Sequence, residues 1–191
     1  MAASRPSPDG MSPAPALSGE RVFEQLFEEQ LTYVWNVLRR LGVREAERED
    51  LVQEVFVRVH KAMPTYDASR PPRPWLFAFA FRVASDHKRL ARHRAEVLGD
   101  SPDAPSSAKG PDAELDATRR RAILHEALEV LDLDKRAVII LHELEDLPIP
   151  EVARVLGIPE GTAYTRLRAA RGELATSLRA HGRFGREGGA R

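Results

Sequence analysis

The chain has 191 residues, 29 Lys+Arg against 29 Asp+Glu, 42% hydrophobic and 30% charged residues, and no cysteine. That length suits one ordinary domain or two small ones, and no apolar run approaches the roughly 20 residues of a membrane-spanning helix. The lack of cysteine excludes disulfides, thiol nucleophiles and Cys-ligated zinc. Residues 1–17 show no basic start followed by an apolar stretch, so the expectation is a cytoplasmic protein without membrane insertion.

Residues 1–17 carry Pro6, Pro8, Pro13 and Pro15 among Ser, Ala and Gly and read as a disordered tail. From residue 18 the pattern turns helical. Phe23, Leu26, Phe27, Leu31, Val34, Leu38 and Leu41 recur at steps of three or four, which predicts a helix with one buried face, stopped at Gly42. A second helix puts Val52, Val55, Phe56, Val59 and Met63 inward and ends at Pro64. Four prolines between Pro64 and Pro74 predict a loop, because proline lacks a donor and disfavours helix in the residue before it. Pro74 suits the first turn of a third helix through Trp75, Leu76, Phe79, Val83 and Leu90 to about Arg94. Residues 95–113, with three prolines and many acids, read as a flexible acidic linker. Helical periodicity resumes over 114–181, and residues 182–191 form a Gly- and Arg-rich disordered tail. No strand alternation is visible. The predicted fold is all-α, two helical modules (18–94 and 114–181) joined by a flexible linker.

The balanced total charge hides two basic segments. Arg82, Lys88, Arg89, Arg92 and Arg94 against Asp86 give residues 82–94 a net +4, residues 160–186 carry the same net charge, and residues 95–116 between them carry −5. Such blocks suit two surfaces that meet polyanions; well-solvated helices are the plainer alternative.

In the second basic segment, the stretch from Pro150 to Leu167 has the layout of a helix-turn-helix. Ala153 is small enough for a close helix crossing, Gly157 provides a left-handed turn, and Pro159 opens the next helix. Ala163, Leu167, Ala170, Leu174 and Leu178 form the buried stripe of that helix. Its opposite face offers Thr162, Thr165, Arg166 and Ala169, flanked by Tyr164, Arg168 and Arg171. Such a helix fits the major groove, where Arg reads guanine and Thr holds phosphates. An ordinary αα-hairpin with a charged face is the alternative.

The stretch from Leu144 to Arg171 resembles region 4 of the extracytoplasmic-function (ECF) sigma factors of the sigma-70 family. Glu49-Asp-Leu-Val-Gln-Glu-Val-Phe-Val-Arg-Val-His60 and Pro74-Trp-Leu-Phe-Ala-Phe-Ala-Phe-Arg-Val-Ala-Ser-Asp-His-Lys-Arg89 resemble their region 2. The two resemblances occur in the family's order and together span about residues 20–180. They imply a sigma factor that binds core RNA polymerase through the β′ clamp and β flap, recognises promoter DNA, opens it and starts transcription. An anti-sigma factor is the implied regulator. Asp50, Gln53 and Glu54 fall where the family meets the β′ clamp. Phe81, Arg82, Lys88 and Arg89 fall on the segment that opens the minus-ten element, while Trp75 and Phe79 share the buried stripe. Thr162, Tyr164, Thr165, Arg166, Arg168 and Arg171 fall on the helix that reads the minus-thirty-five element.

The chain departs from the family at three places. Phe81-Arg82 stands where Arg-Asn is common, Pro148 and Pro150 replace the more usual Ser and a non-Pro residue, and Tyr164 stands where Lys is frequent. A sigma-like DNA-binding regulator that does not itself support melting is therefore the alternative function. Neither a catalytic residue, a metal site nor a cofactor is expected. His125-Glu126 and His142-Glu143 begin metalloprotease-like motifs, but Glu129 and Asp146 occupy the place of the second histidine.

Overall fold

The computed structural model describes residues 19–98 and 124–180, all of them helical or in the turns between helices. Helix α1 spans Gly19–Arg40 and buries Leu26, Val34, Val37 and Leu38. Gly42 ends it, at φ +89°, with its own N–H on the Arg39 carbonyl at 3.0 Å and the Val43 N–H on the Leu38 carbonyl at 3.0 Å. This is the Schellman pattern, which needs a residue without Cβ at the left-handed position. Helix α2 spans Glu45–Ala62 with Val52, Val55, Phe56 and Val59 buried. A 3₁₀ turn over Met63–Thr65 leads to the proline-rich loop.

Helix α3 spans Pro72–Leu98. It starts two residues before Pro74 and runs past Arg94. Pro72 and Pro74 both lie in the first turn, where the backbone N–H groups have no intrahelical acceptor, so neither breaks the helix. Two expectations about packing, one on α3 and one on α1, are corrected. The buried stripe is Leu76, Phe77, Ala80, Val83 and Ala84, whereas Trp75 and Phe79 are only half-buried. On α1, Phe27 and Leu31, expected inward, each keep 37% of their surface exposed.

In the second group, residues 124–129 form helix α4. Helix α5, Leu133–Ile139, is capped by Asp132, whose carboxylate accepts the Lys135 N–H at 2.8 Å; a side-chain acceptor here satisfies one of the open amides of the first turn. The helix then widens into a π turn over Ile140–Leu144, and Asp146, at φ 55°, redirects the chain. Helix α6 spans Ile149–Leu156 and α7 spans Glu160–Ala180. The periodicity expected over 114–123 falls outside the described residues.

The two groups touch. Helix α3 packs on α6, one continuous apolar cluster runs through both groups, and Arg40 of α1 donates to Glu145 at 3.2 Å.

Candidate nucleic-acid and protein interfaces

On α2, Asp50 and Gln53 are exposed and Glu54 is half-exposed. With 3.6 residues per turn they share one face with Val57, which leaves 48% of its surface in solvent. Periodicity does not single out Val57, although its offsets of four and three from Gln53 and Glu54 place it on their face. The face therefore has an apolar centre within a polar rim, the anatomy of a protein-binding patch. Glu54 accepts Arg58 Nε at 2.8 Å, and the same guanidinium reaches Asp86 of α3 at 2.9 Å. Glu54 thus also braces α2 against α3.

The half-buried rings left outside the α3 core form a ladder. Tyr66 lies 4.8 Å from Trp75 between ring centroids, Trp75 lies 5.0 Å from Phe79, and the Arg82 guanidinium sits 5.8 Å over Phe79. Burial, with help from Asp67 and Glu29, pushes the Tyr66 phenol up, so this ring stays neutral at any physiological pH. Positions 75, 79, 82 and 89 fall along one side of the helix, so exposed Arg82 and Arg89 extend the ladder. Phe81 and Lys88 are turned away by about 100°. The four minus-ten candidates are thus split between two flanks. Tyr66, Trp75 and Phe79 are the additional rings of this surface; the spacing of Trp75 and Phe79 from Arg82 along one side of α3 is the sequence signal for those two, whereas Tyr66 comes from the loop before the helix.

In the helix-turn-helix, Gly157 has φ +67° and again closes a Schellman pattern, the Ile158 N–H reaching the Ala153 carbonyl at 3.0 Å. Pro148 stands at the N-cap of α6 without a side-chain hydrogen bond, as its ring requires, and its carbonyl accepts the Val152 N–H at 3.0 Å. Pro159 flanks α7 rather than starting it: its carbonyl accepts the first helical amides, from Thr162 and Ala163. Ala163, Leu167 and Ala170 are buried, and Leu174 and Leu178 are half-buried.

The six candidate residues of α7 play unequal parts. Thr165 and Arg168 are exposed on the outward face, and Thr162 sits half-buried at its edge. The Thr165 hydroxyl donates to the Gly161 carbonyl at 2.8 Å. Tyr164, 56% exposed, lines a shallow groove with His142, Pro148, Pro150, Arg168 and Arg171. Arg171 is held by Glu143 at 2.5 Å. Arg166 turns inward and pairs with Asp134 of α5 at 2.7 Å.

Among the described residues no cluster of three or more His, Asp or Glu is arranged to hold a metal ion, and no helix is long and apolar enough to cross a membrane.

Residues 26–94 match the Sigma-70 region 2 family model and residues 121–174 match that of Sigma-70, region 4. The RNA polymerase sigma factor CnrH of Cupriavidus metallidurans is 33% identical over 179 residues, covering 89% of this chain and 94% of the relative. The ECF RNA polymerase sigma factor SigL of Mycobacterium tuberculosis is 32% identical over 154 residues, covering 80% and 86%. The solved structure of CnrH in complex with the cytosolic domain of CnrY superposes with a TM-score of 0.59 at 26% identity, covering 84% of this chain and 90% of that one.

Proposed function

Because the chain belongs to the ECF group of the sigma-70 family of RNA polymerase sigma factors, we propose that it binds core RNA polymerase, brings it to promoters and opens the minus-ten element. The observation that carries the melting step is the Tyr66–Trp75–Phe79 ladder with Arg82 over its end. Unstacking duplex DNA costs about 1.4 kcal/mol per step, and an aromatic platform returns about 1–3 kcal/mol per base stacked on it. A ladder of half-exposed rings beside two arginines meets both the base and the phosphate side of that exchange.

The α2 face of Asp50, Gln53, Glu54 and Val57 is assigned to the polymerase clamp. The outward face of α7, Thr162, Thr165 and Arg168 with Tyr164 and Arg171 beside it, is assigned to the minus-thirty-five element. Arg166 is a brace for that helix. Arg82 and Arg89 attract the opened strand, and Phe81 and Lys88 approach the minus-ten DNA from the other flank of α3. Polymerase supplies the chemistry, so the chain itself is not an enzyme; it works in the cytoplasm, and an anti-sigma factor is its regulator.

The test is binding to core RNA polymerase by the chain carrying Gln53→Ala and Val57→Ser together. Both residues are exposed, so helical content is expected to be unchanged while affinity for the polymerase falls at least severalfold. Unchanged affinity would remove the clamp assignment.

A further inference from the structure

We infer that the groove beside α7 is a thymine site: Tyr164, with Pro148 and Pro150, packs on the 5-methyl group of a thymine in the minus-thirty-five element and makes that methyl part of the promoter code. The inference rests on the sigma-factor reading and adds to it the chemical group that is read.

Three segments assemble the groove. Pro148 and Pro150 come from the start of α6, His142 from the π turn, and Tyr164, Arg168 and Arg171 from α7. On α7 the last three positions lie within about 60° of one another around the helix. Arg168 also belongs to the exposed outward face, so the groove opens onto the surface assigned to DNA. Pro148, Pro150 and Tyr164 each depart from the family pattern. They are separate in sequence, yet the fold brings them to one place.

The lining selects an apolar occupant. The start of α6 is a poor phosphate site, because Pro150 has no N–H and the amides of Glu151 and Val152 turn back onto the Pro148 carbonyl at 2.9 and 3.0 Å. Arg171 is engaged by Glu143. His142 is fixed through Nδ1, 2.8 Å from the Leu147 carbonyl; a carbonyl can only accept, so the ring carries its proton there. The remaining lining is mostly apolar, the rings of two prolines and a tyrosine.

DNA offers one apolar partner in the major groove. Every base edge there presents donors or acceptors, and thymine alone adds a methyl group, at C5 beside its O4. An apolar groove next to an exposed arginine matches that pattern: the methyl meets the rings, and Arg168 reaches a neighbouring guanine or phosphate. A lysine at position 164 would place a compact, hydrated charge there, with no apolar face to tell thymine from an unmethylated pyrimidine.

The test uses the full-length chain with core RNA polymerase. Genomic fragments retained by this complex define the minus-thirty-five element, and a synthetic duplex of one promoter is then made with uracil replacing one thymine of that element at a time. Uracil keeps the base pair and removes only the methyl. At one position the parent is expected to bind about fourfold more weakly, the effect of losing one buried methyl. Tyr164→Ala is expected to bind the thymine and uracil duplexes alike at that position, and Tyr164→Phe to keep the difference. Helical content is followed in parallel, and Tyr164→Lys replaces the alanine variant if that fails to fold, with the same expected result. An element without thymine on either strand, indifference to uracil at every position, or a difference that survives in Tyr164→Ala would overturn the proposal and leave the sigma-factor reading in place. If no fragment is retained in preference to others, the sigma-factor reading falls and this site with it.

Discussion

Arg166 of α7 donates to Asp134 of α5 across 2.7 Å, so its guanidinium ties two helices together instead of facing outward. A partly exposed ion pair of this kind contributes about 0.2–1 kcal/mol. Arg166→Ala is therefore expected to lower stability slightly and to weaken binding to every DNA duplex alike. Arg168→Ala, on the open face, is expected to cost about 1–3 kcal/mol on the cognate minus-thirty-five duplex and much less on a scrambled one. Fluorescence anisotropy on the two duplexes separates these outcomes, and equal losses for both variants would contradict the assignment.

The ladder makes a second prediction. Trp75 is its central ring, 4.8 Å from Tyr66 and 5.0 Å from Phe79. Trp75→Ala is expected to cost about 1–3 kcal/mol in holoenzyme binding to a single-stranded minus-ten oligonucleotide. Trp75→Phe is expected to retain most of the affinity, since a ring still stacks. Titration with a labelled oligonucleotide checks it, and an alanine variant as tight as the parent would show the rings to be core alone.

Asp132 links the second module to pH. Burial pushes its carboxyl up, but the backbone amide and ammonium of Lys135 outweigh that and hold it below the usual carboxylate range. A carboxyl lowered on folding adds stability that is complete above its unfolded pKa, about 3.9, and is lost as pH falls through the lower folded value. Asp132→Ala is expected to cost about 1 kcal/mol at neutral pH. In urea melts, the gap between parent and variant should close as the pH falls below about 4 and the parent's carboxylate protonates.

Two glycines of the same conformation should respond differently. Gly42 and Gly157 both have positive φ, but a Cβ at Gly157 meets open space, whereas at Gly42 it meets Arg136. Gly157→Ala is expected to cost the left-handed backbone strain alone, about 1–2 kcal/mol. Gly42→Ala adds the displacement of a buried guanidinium and should cost more. Paired urea midpoints decide it, and a smaller loss at Gly42 would show that Arg136 moves aside freely.

What the sequence made legible was local. Gly42 and Gly157 end their helices where their lack of Cβ is needed, and the Ala163–Leu167–Ala170 stripe of α7 follows from one period with no competing phase. Helix α3 was harder. In Leu76-Phe-Ala-Phe-Ala-Phe81 apolar residues occupy every position, so periodicity leaves the phase open. The packing of α3 on α1 and α2, which buries Leu76, Phe77 and Ala80, decides which rings are left half-exposed. The role of Arg166 depends on a partner 32 residues away in sequence, and that of Glu145 on one 105 away. Neither pairing leaves a trace in spacing.

The most direct measurement is reconstituted transcription. Purified chain, core RNA polymerase and fragmented genomic DNA of the source are combined, and the RNA 5′ ends are mapped. The expected result is a set of discrete new start sites sharing two upstream elements, lost with Trp75→Ala and weakened with Arg168→Ala. No new starts from a chain that still binds polymerase would contradict promoter opening and leave a sigma-like regulator in its place.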